Sequence, residues 1–273
     1  MFASNCFWLT SPSAVSFGSY SVFSPTNLST ASQFSFRCTP NSYARVTLST
    51  GGSGVYTPSR TMANGANSAN YNLYLDPAGT QIWGNTTGGS VTYDAYNSTP
   101  QSKDFIDNIY GIAPASQDPA AGTYTDTVFA TLSYSNNLGG PYNPVAPVAI
   151  AVSMTVLAEC RVDSFNLNFG SYNPFNVAAL AQSTLLKVYC TKNSSPTSVA
   201  LNNGSFPLGA QKRMISPGGV FLSYNAALGS TAGSSTSSLI PINGGFALNG
   251  NVPAQQDVDV GSYLDTLVAT VNY

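Results

Sequence analysis

Gly261-Ser-Tyr-Leu-Asp-Thr-Leu-Val-Ala-Thr-Val-Asn-Tyr273 and Gly122-Thr-Tyr-Thr-Asp-Thr-Val-Phe-Ala-Thr-Leu-Ser-Tyr134 are two gap-free copies of one sequence pattern. In each copy, alternate residues are apolar or aromatic apart from one Asp, which is the two-residue period of a β-strand with one buried face. The pattern therefore predicts two strands that hold the same place in two similar folding units.

The first copy is followed by another strand. A loop rich in Asn, Gly and Pro, Ser135 to Pro147, leads into a second alternating segment with five apolar residues on one face. These residues are Val148, Ile150, Val152, Met154 and Val156. We expect this segment to complete the first unit within the same chain, as a cis donor strand.

The second copy ends the sequence at Tyr273. A half-buried strand without a neighbour leaves backbone N–H and C=O groups unpaired and apolar side chains uncovered. We therefore expect the second unit to be one strand short and to take a strand from another molecule. The face that would meet this strand or a chaperone carries Leu267, Ala269, Val271 and Tyr273.

Composition limits the protein class. The 273 residues are 43% apolar, which is enough for two domains with cores of their own. Nine Lys and Arg against eleven Asp and Glu form no basic face, so nucleic-acid binding by phosphate neutralisation is excluded. Abundant Ser, Thr, Asn, Tyr and Pro favour short strands and turns. We predict no transmembrane segment, and the few residues before Cys6 are too short for a signal peptide.

The four cysteines indicate two disulfides. Of the three possible pairings, Cys6 with Cys38 and Cys160 with Cys190 respects the repeat, with buried free thiols as the alternative. Each bond would close a loop of about thirty residues and stabilise the fold by roughly 3 to 4 kcal/mol. Disulfides imply an oxidising compartment.

No catalytic, metal-binding or cofactor-binding residue is predicted. The chain has no His, so it lacks the usual general base and the His ligands of zinc sites. Asp126 and Asp265 hold the same place in both repeats, which indicates a structural role in capping backbone N–H groups. Four other acids, Asp76, Asp94, Asp104 and Asp107, do not have the spacing of a calcium loop.

Further matches extend the repeat over the chain. Phe17-Gly18 corresponds to Phe169-Gly170, where Gly indicates a bulge, and Arg60-Thr-Met62 aligns with Arg213-Met214. The sequence predicts two β-sandwiches in tandem, at 1–144 and 159–273, with 145–158 as linker and cis donor strand.

The first unit carries an insertion with several aromatic residues. Trp83, Tyr93 and Tyr96 lie in it, together with the charged run Lys103-Asp-Phe-Ile-Asp107. Local packing is the usual role of such residues, and a concave sugar-binding site lined by them is the alternative.

The repeated motifs resemble the spore coat protein U domain. The motifs are the paired Cys, Phe-Gly-x-Tyr, Tyr-Asn-x-x and the closing Gly-x-Tyr-x-Asp-Thr-x-x-Ala-Thr-x-x-Tyr, and they cover nearly the whole chain twice. Domains of this family are subunits of archaic, Csu-type chaperone–usher pili, and a two-domain member resembles the tip adhesin. The resemblance implies incomplete immunoglobulin-like sandwiches completed by donor strands. It also implies a periplasmic chaperone, an outer-membrane usher and an adjacent pilin as partners, with an extracellular place at the pilus tip after a periplasmic stage.

An adhesive surface is predicted from the order of the strands. If strands alternate in direction from the first Cys, three loops point away from the disulfide and the linker: Ser19 to Ser32, Thr50 to Ser59 and Ile112 to Gly122. Each has apolar residues beside a proline, which stiffens the loop. The predicted surface-binding residues are Val22, Phe23, Pro25, Val55, Tyr56, Pro58, Ile112, Ala113 and Pro114.

The sequence thus predicts a non-enzymatic tip adhesin that attaches to hydrophobic, abiotic surfaces and initiates biofilm. Two alternatives remain open, a lectin-like carbohydrate-binding tip and a non-adhesive secreted coat or pilin protein.

Overall fold

A computed structural model describes residues 4–229 and 233–273. The chain divides into two compact units, the first ending at Leu157 and the second beginning at Ala158. Regular structure in the described residues is almost entirely β-strand, with short 3-10 turns at Gly51–Ser53 and Ile242–Gly244. The predicted fold class, two β-sandwich units in tandem, is confirmed.

Unit 1 contains eleven strands in its described residues. They are β1 Cys6–Thr10, β2 Val15–Tyr20, β3 Leu28–Cys38, β4 Ser42–Leu48, β5 Arg60–Asn64, β6 Asn67–Tyr74, β7 Tyr93–Asn97, β8 Lys103–Ala113, β9 Gly122–Ser135, β10 Asn143–Pro144 and β11 Val148–Val156.

The strands of unit 1 form two layers around one core. One layer contains β1, β3, β8 and β6, paired in that order. The other contains β5, β9, β11 and β2, also paired in that order, and in it β4 pairs with β9 and β7 pairs with β4. Alternation of buried and exposed residues along β3, β4 and β9 follows the two-residue period and directs one face of each strand inward. The buried side chains form a single continuous cluster.

Strand β11 lies inside the second layer. It pairs antiparallel with β9 over its whole length, from Val148 opposite Ala130 to Val156 opposite Gly122, and parallel with β2 on its other side. The inward side chains of Ile150, Val152 and Met154 are each 1% exposed. The segment predicted to complete unit 1 is therefore a central strand of its sheet.

Unit 2 has shorter strands. Those in its described residues are β12 Cys160–Val162, β13 Leu180–Leu186, β14 Val188–Cys190, β15 Ser198–Leu201, β16 Lys212–Ile215, β17 Phe221–Leu228, β18 Phe246–Val252 and β19 Ala269–Asn272. They form three sheets, with orders β12-β14, β13-β18-β17-β16 and β15-β19. The buried residues fall into two separate clusters, one near the disulfide and one around Phe169 and Tyr224.

Both units have the expected cysteine pairs, and the expected glycine bulge is present in unit 1. Disulfides join Cys6 to Cys38 and Cys160 to Cys190. Gly18 and Gly170 both have φ of 74°, a conformation that glycine adopts at low cost, and the pairing of β2 with β11 shifts register beside Gly18.

One predicted correspondence is wrong by one residue. Arg60 lies opposite Tyr71 in the β5–β6 pair, and Lys212 lies opposite Tyr224 in the β16–β17 pair. Lys212, not Arg213, therefore takes the place of Arg60, while Met62 and Met214 do correspond. The hairpin register decides this, because the motif Arg-x-Met of the first unit is Lys-Arg-Met in the second.

The prediction of where the chain leaves unit 1 is also wrong. The sequence placed this exit at the same end as the first disulfide. Because β11 runs antiparallel to β9, it returns to the start of β9, and Leu157 donates its N–H to the carbonyl of Tyr20. The chain therefore leaves unit 1 at the end that carries loops 21–27 and 114–121, opposite the Cys6–Cys38 disulfide.

Loop 49–59 does not lie at that end, although the sequence predicted it there. Strands β4 and β5 both pair with the same edge of β9, β4 as far as Ala130 and β5 at Thr125. They therefore lie end to end along that edge. The loop between them protrudes midway along β9, and the turn of the β5–β6 hairpin occupies the predicted position.

Candidate functional site

A partly buried carboxylate anchors the closing strand of unit 1. Asp126 on β9 accepts a hydrogen bond from the Tyr71 hydroxyl at 2.6 Å and from the backbone N–H of Gly52 at 2.8 Å. The pKa of Tyr71 is raised above its ordinary value, mainly by burial and secondly by the hydrogen bond to Asp126. A Cβ at Gly51, which has φ of 67°, would overlap the carboxylate, so the turn requires glycine.

Unit 2 repeats this arrangement. Asp265 accepts from the Tyr224 hydroxyl at 2.7 Å and from the N–H of Ser205 at 2.8 Å. The pKa of Tyr224 is raised in the same way, mainly by burial and secondly by the hydrogen bond to Asp265. Both aspartates thus cap backbone N–H groups, as the sequence predicted.

A second repeated network fastens the loop before the closing strand. Tyr172 donates to the carbonyl of Pro253 at 3.0 Å and accepts the N–H of Gln256 at 2.7 Å. Tyr20, Pro114 and Gln117 make the same contacts in unit 1. The closing segment of unit 2 is therefore held in place as it is in unit 1.

The two closing segments differ in what lies beside them. In unit 2, β19 pairs with β15 and Leu264 bridges Ile215, which reproduces the contacts of β9 with β4 and β5. No strand of the described residues occupies the other side, where β11 lies in unit 1. The segment equivalent to β2, around Phe169, has no strand pairing in the part of the chain that the structure describes.

The inward side chains of the closing segment are more exposed in unit 2 than in unit 1. Tyr124, Val128, Ala130 and Leu132 on β9 are fully buried. Their counterparts are partly exposed: Tyr263, Leu267, Ala269 and Val271. The outward residues serve as an internal control, because Phe129 and Val268 are 47% and 53% exposed.

An apolar groove lies along the open side of this segment. One cavity of about 300 Å³ is lined by Leu167, Phe169, Met214 and residues 263–267. An adjoining cavity of about 660 Å³ continues past Tyr172 toward Val260. We call these two cavities, with residues 165–172 on one side and 258–267 on the other, the strand groove. Its walls are the counterparts of β2 and β9, the two neighbours of β11.

The structure buries several of the predicted surface-binding residues. Val22 is 6% exposed, Tyr56 is 4% exposed with its hydroxyl bonded to the carbonyl of Leu48, and Ala113 is fully buried. These three residues face inward and cannot form exposed tips, so the prediction is wrong for them. Phe23 packs partly against the core and Ile112 is half-buried, whereas four residues are exposed: Pro25, Val55, Pro58 and Pro114.

The insertion packs into the first unit. Trp83 is fully buried and donates its indole N–H to the carbonyl of Val46 at 2.9 Å. Tyr93 packs edge-on against Phe34, and burial with a nearby Asp107 raises its pKa to about 12. The role in local packing holds for both residues, and a sugar site containing Trp83 is excluded by its burial.

Acidic side chains of unit 1 are engaged in protein contacts. Arg37 pairs with Asp104 and Arg45 with Asp94, and Asp76 accepts backbone N–H groups of its own loop. In residues 4–229 and 233–273, no group of three or more potential metal ligands occurs. No helix of these residues is long and apolar enough to span a membrane.

Sequence reasoning missed an exposed surface at the disulfide end of unit 1. Leu138, in the loop that follows β9, is 80% exposed. Nearby on the outer face of β4 and β7, the rings of Tyr43 and Tyr96 stack at 4.2 Å, and Arg45 lies over the ring of Tyr142. The signal available in the sequence was a leucine within the Asn-Asn-Leu-Gly-Gly-Pro loop. We call loops 39–41, 98–102 and 136–142 the disulfide-end loops.

Two solved structures of pilus proteins are similar to this chain. A chain of the CsuC–CsuE chaperone–tip adhesion subunit pre-assembly complex from archaic chaperone-usher Csu pili of Acinetobacter baumannii is 19% identical. The match covers 98% of this chain and 100% of that one, with a TM-score of 0.51. The CupB6 tip adhesin of Pseudomonas aeruginosa is 12% identical over 56% of this chain and 43% of its own, with a TM-score of 0.35. The likeness to the first establishes a chaperone–usher pilin fold.

Relatives by sequence point to one family. Protein U of Myxococcus xanthus is 34% identical over 107 residues, which are 37% of this chain and 57% of that protein's length. The model of the Spore Coat Protein U domain matches residues 2–131 and again 146–270. The chain therefore belongs to the spore coat protein U domain family and contains that domain twice.

Proposed function

We propose that this protein is an exported subunit of a chaperone–usher pilus, in which unit 2 accepts a strand from another protein and unit 1 attaches to surfaces. One observation carries the proposal. The same fold occurs twice in the chain, with β11 between β2 and β9 in unit 1 and an open groove between their counterparts in unit 2.

The groove fits an extended strand by shape and chemistry. An added strand gains main-chain hydrogen bonds from a sheet edge and specificity from pockets for alternate side chains. By the register of β11, a residue opposite Tyr263 takes the place of Met154, and a residue opposite Leu267 takes that of Ile150. We infer a donor that runs antiparallel to residues 261–271 and carries apolar side chains at every second position.

The partners follow from this chemistry. A periplasmic chaperone would fill the groove before assembly and an adjacent pilin afterwards, with an outer-membrane usher at the exit from the cell. The two disulfides agree with an oxidising compartment. We propose no enzymatic activity, since the conspicuous acids Asp126 and Asp265 hold backbone and tyrosine hydroxyl groups.

A synthetic peptide with the sequence of residues 147–157 tests the groove. We expect the labelled peptide to bind the full chain, and Leu267→Asp to weaken binding at least about tenfold, because the charge would be buried beneath the peptide. The matched control is Val268→Asp, which points outward and is 53% exposed. Equal binding by the two variants would contradict the proposal.

The adhesive role is proposed for the disulfide-end loops. They lie opposite Leu157, where the chain leaves unit 1, and they combine exposed Leu138 with Pro100 and Pro141. Apolar side chains on proline-stiffened loops lose little entropy on contact and gain roughly 25 cal/mol for each square ångström removed from water. Attachment of this kind would favour hydrophobic, abiotic surfaces and would start a biofilm.

Attachment of cells to polystyrene tests this role. Leu138→Ser should lower the number of attached cells several-fold without changing the number of pili, counted by electron microscopy. Val55→Ser is the matched control, because Val55 is 47% exposed but lies in the loop midway along β9. A loss with Val55→Ser and none with Leu138→Ser would reject the disulfide-end loops.

A further inference from the structure

The end of unit 2 toward which the strand groove opens carries exposed apolar side chains. Phe175 is 90% exposed, Val177 is 84% exposed and Val260 is fully exposed. Tyr172 fastens the loop of Phe175 to the loop of Val260 through its bonds to Pro253 and Gln256. We call Phe175, Val177 and Val260 the end patch.

Unit 1 has no such patch in the same place. Phe23, the counterpart of Phe175, packs against the core, and Ala121 takes the place of Val260. Both loops belong to the repeat, so the exposure in unit 2 is a feature of that unit. Exposed clusters of large apolar residues mark interaction sites in soluble proteins.

The direction of the donor strand identifies what would meet the patch. In unit 1, β11 runs toward this end, and the chain emerges at Leu157, bonded to Tyr20 and just beyond Val156 opposite Gly122. A strand seated in unit 2 in the same direction would emerge between Tyr172 and Gly261. The larger cavity of the groove opens there, between Pro174 and Val260.

The folded body that follows the strand would then be within reach. In this chain Cys160 follows Val156 by four residues and already belongs to the next unit. We propose that the end patch binds the folded domain of the subunit whose strand fills the groove, as a contact outside the groove itself. This inference rests on the proposed function. Asp257 and Asp259 lie beside Val260, so the partner surface should be apolar with a basic edge.

Hydroxyl-radical footprinting of the full chain separates the groove from the patch. Three states are compared: the chain alone, the chain saturated with the 147–157 peptide, and fibres sheared from producing cells. We expect the peptide to protect Tyr263 and Met214 in the groove and to leave Phe175 unchanged. In fibres, we expect modification of Phe175 to fall about tenfold as well. Leu239 and Ile240, exposed in another loop of unit 2, are the internal controls.

The outcomes distinguish the two proposals. Protection of Tyr263 with a fully reactive Phe175 in fibres overturns the end patch and leaves the groove intact. Reactivity of both, or the absence of fibres, overturns the groove and the patch together. Protection of Phe175 by the peptide alone also overturns the patch, because no folded body is then present.

Variants supply a second test. Phe175→Ser combined with Val177→Thr should reduce the amount of this chain recovered in fibres about tenfold, while binding of the 147–157 peptide stays within twofold. Leu239→Ser combined with Ile240→Thr should change neither quantity. Equal recovery of the two double variants would overturn the inference.

Discussion

Unit 1 and unit 2 share their hydrogen-bond framework and differ in their cores. The Asp–Tyr pair and the Tyr–Pro–Gln network occur in both units, and the Asp–Tyr and Tyr–Pro hydrogen bonds have nearly equal lengths in the two. The buried side chains form one cluster in unit 1 and two in unit 2. The framework therefore does not depend on the strand beside β9, whereas continuity of the core does, because that strand supplies the side chains that join its two ends.

The largest expected effect comes from breaking β11. Val152→Asp places a charge in the core of unit 1, where Val152 is 1% exposed, and should cost more than about 4 kcal/mol. Both tryptophans of the chain, Trp8 and Trp83, lie in unit 1, so urea unfolding followed by tryptophan emission reports on that unit. Ala151→Asp, on the exposed face of the same strand, is the control and should leave the midpoint almost unchanged.

The converse experiment supplies a strand to the side of the closing segment that no strand occupies in the described residues of unit 2. A copy of residues 135–157 appended after Tyr273 should fold back along the closing segment and join the two clusters. We expect a gain of roughly 3 to 5 kcal/mol in the stability of unit 2. The measurement is hydrogen exchange of residues 261–271, and an appended copy carrying Asp at the position of Val152 should give no protection. Equal protection by both copies would contradict the comparison.

A third prediction compares Arg60 of unit 1 with Lys212, which holds the equivalent place in unit 2. Arg60 is fully buried and donates to the carbonyls of Ser49 and Trp83 and to the side chain of Asn72. Arg60→Lys leaves buried acceptors unpaired and should cost about 2 to 4 kcal/mol in unit 1. Lys212→Ala should cost less than about 1 kcal/mol, since its contact with Asn203 is exposed. Urea midpoints of the two units would test the difference, and equal losses would argue against it.

The smallest effect is a pH dependence present in both units. Burial and Asp126 raise the pKa of Tyr71 above that of the unfolded chain, so the native state retains a proton that the unfolded state releases above pH about 10. Stability is thus fully present below that pH and falls as pH rises further, by about 1.4 kcal/mol per pH unit for each such tyrosine.

Tyr71→Phe should therefore reduce this slope in unit 1, measured by tryptophan emission between pH 9 and 11. Tyr224→Phe should do the same for unit 2, measured by hydrogen exchange, and should leave the tryptophan signal unchanged. An unaltered slope in Tyr71→Phe would show that another group causes the alkaline loss.

Much of the site could be predicted from particular residues. The repeat from Gly122 to Tyr134 and from Gly261 to Tyr273 predicted both closing strands; β9 spans the whole predicted stretch of unit 1, whereas β19 covers only Ala269–Asn272 of the stretch in unit 2. Val148 to Val156 was predicted as the filling strand because its alternation matches a strand with one buried face. Exposure of the loops was not predictable in this way, since Val22 and Phe175 are both apolar loop residues and have opposite burial.

The sequence by itself determined the strands, the cysteine pairs and the number of units, because these depend on local periodicity and on spacing that the repeat duplicates. Only the tertiary structure decided which loops share an end, which way β11 runs and which residue matches Arg60. The physical reason is that direction and register depend on pairing between distant segments. Because β4 and β5 lie end to end along β9, loop 49–59 lies at the side of unit 1 and not at its end.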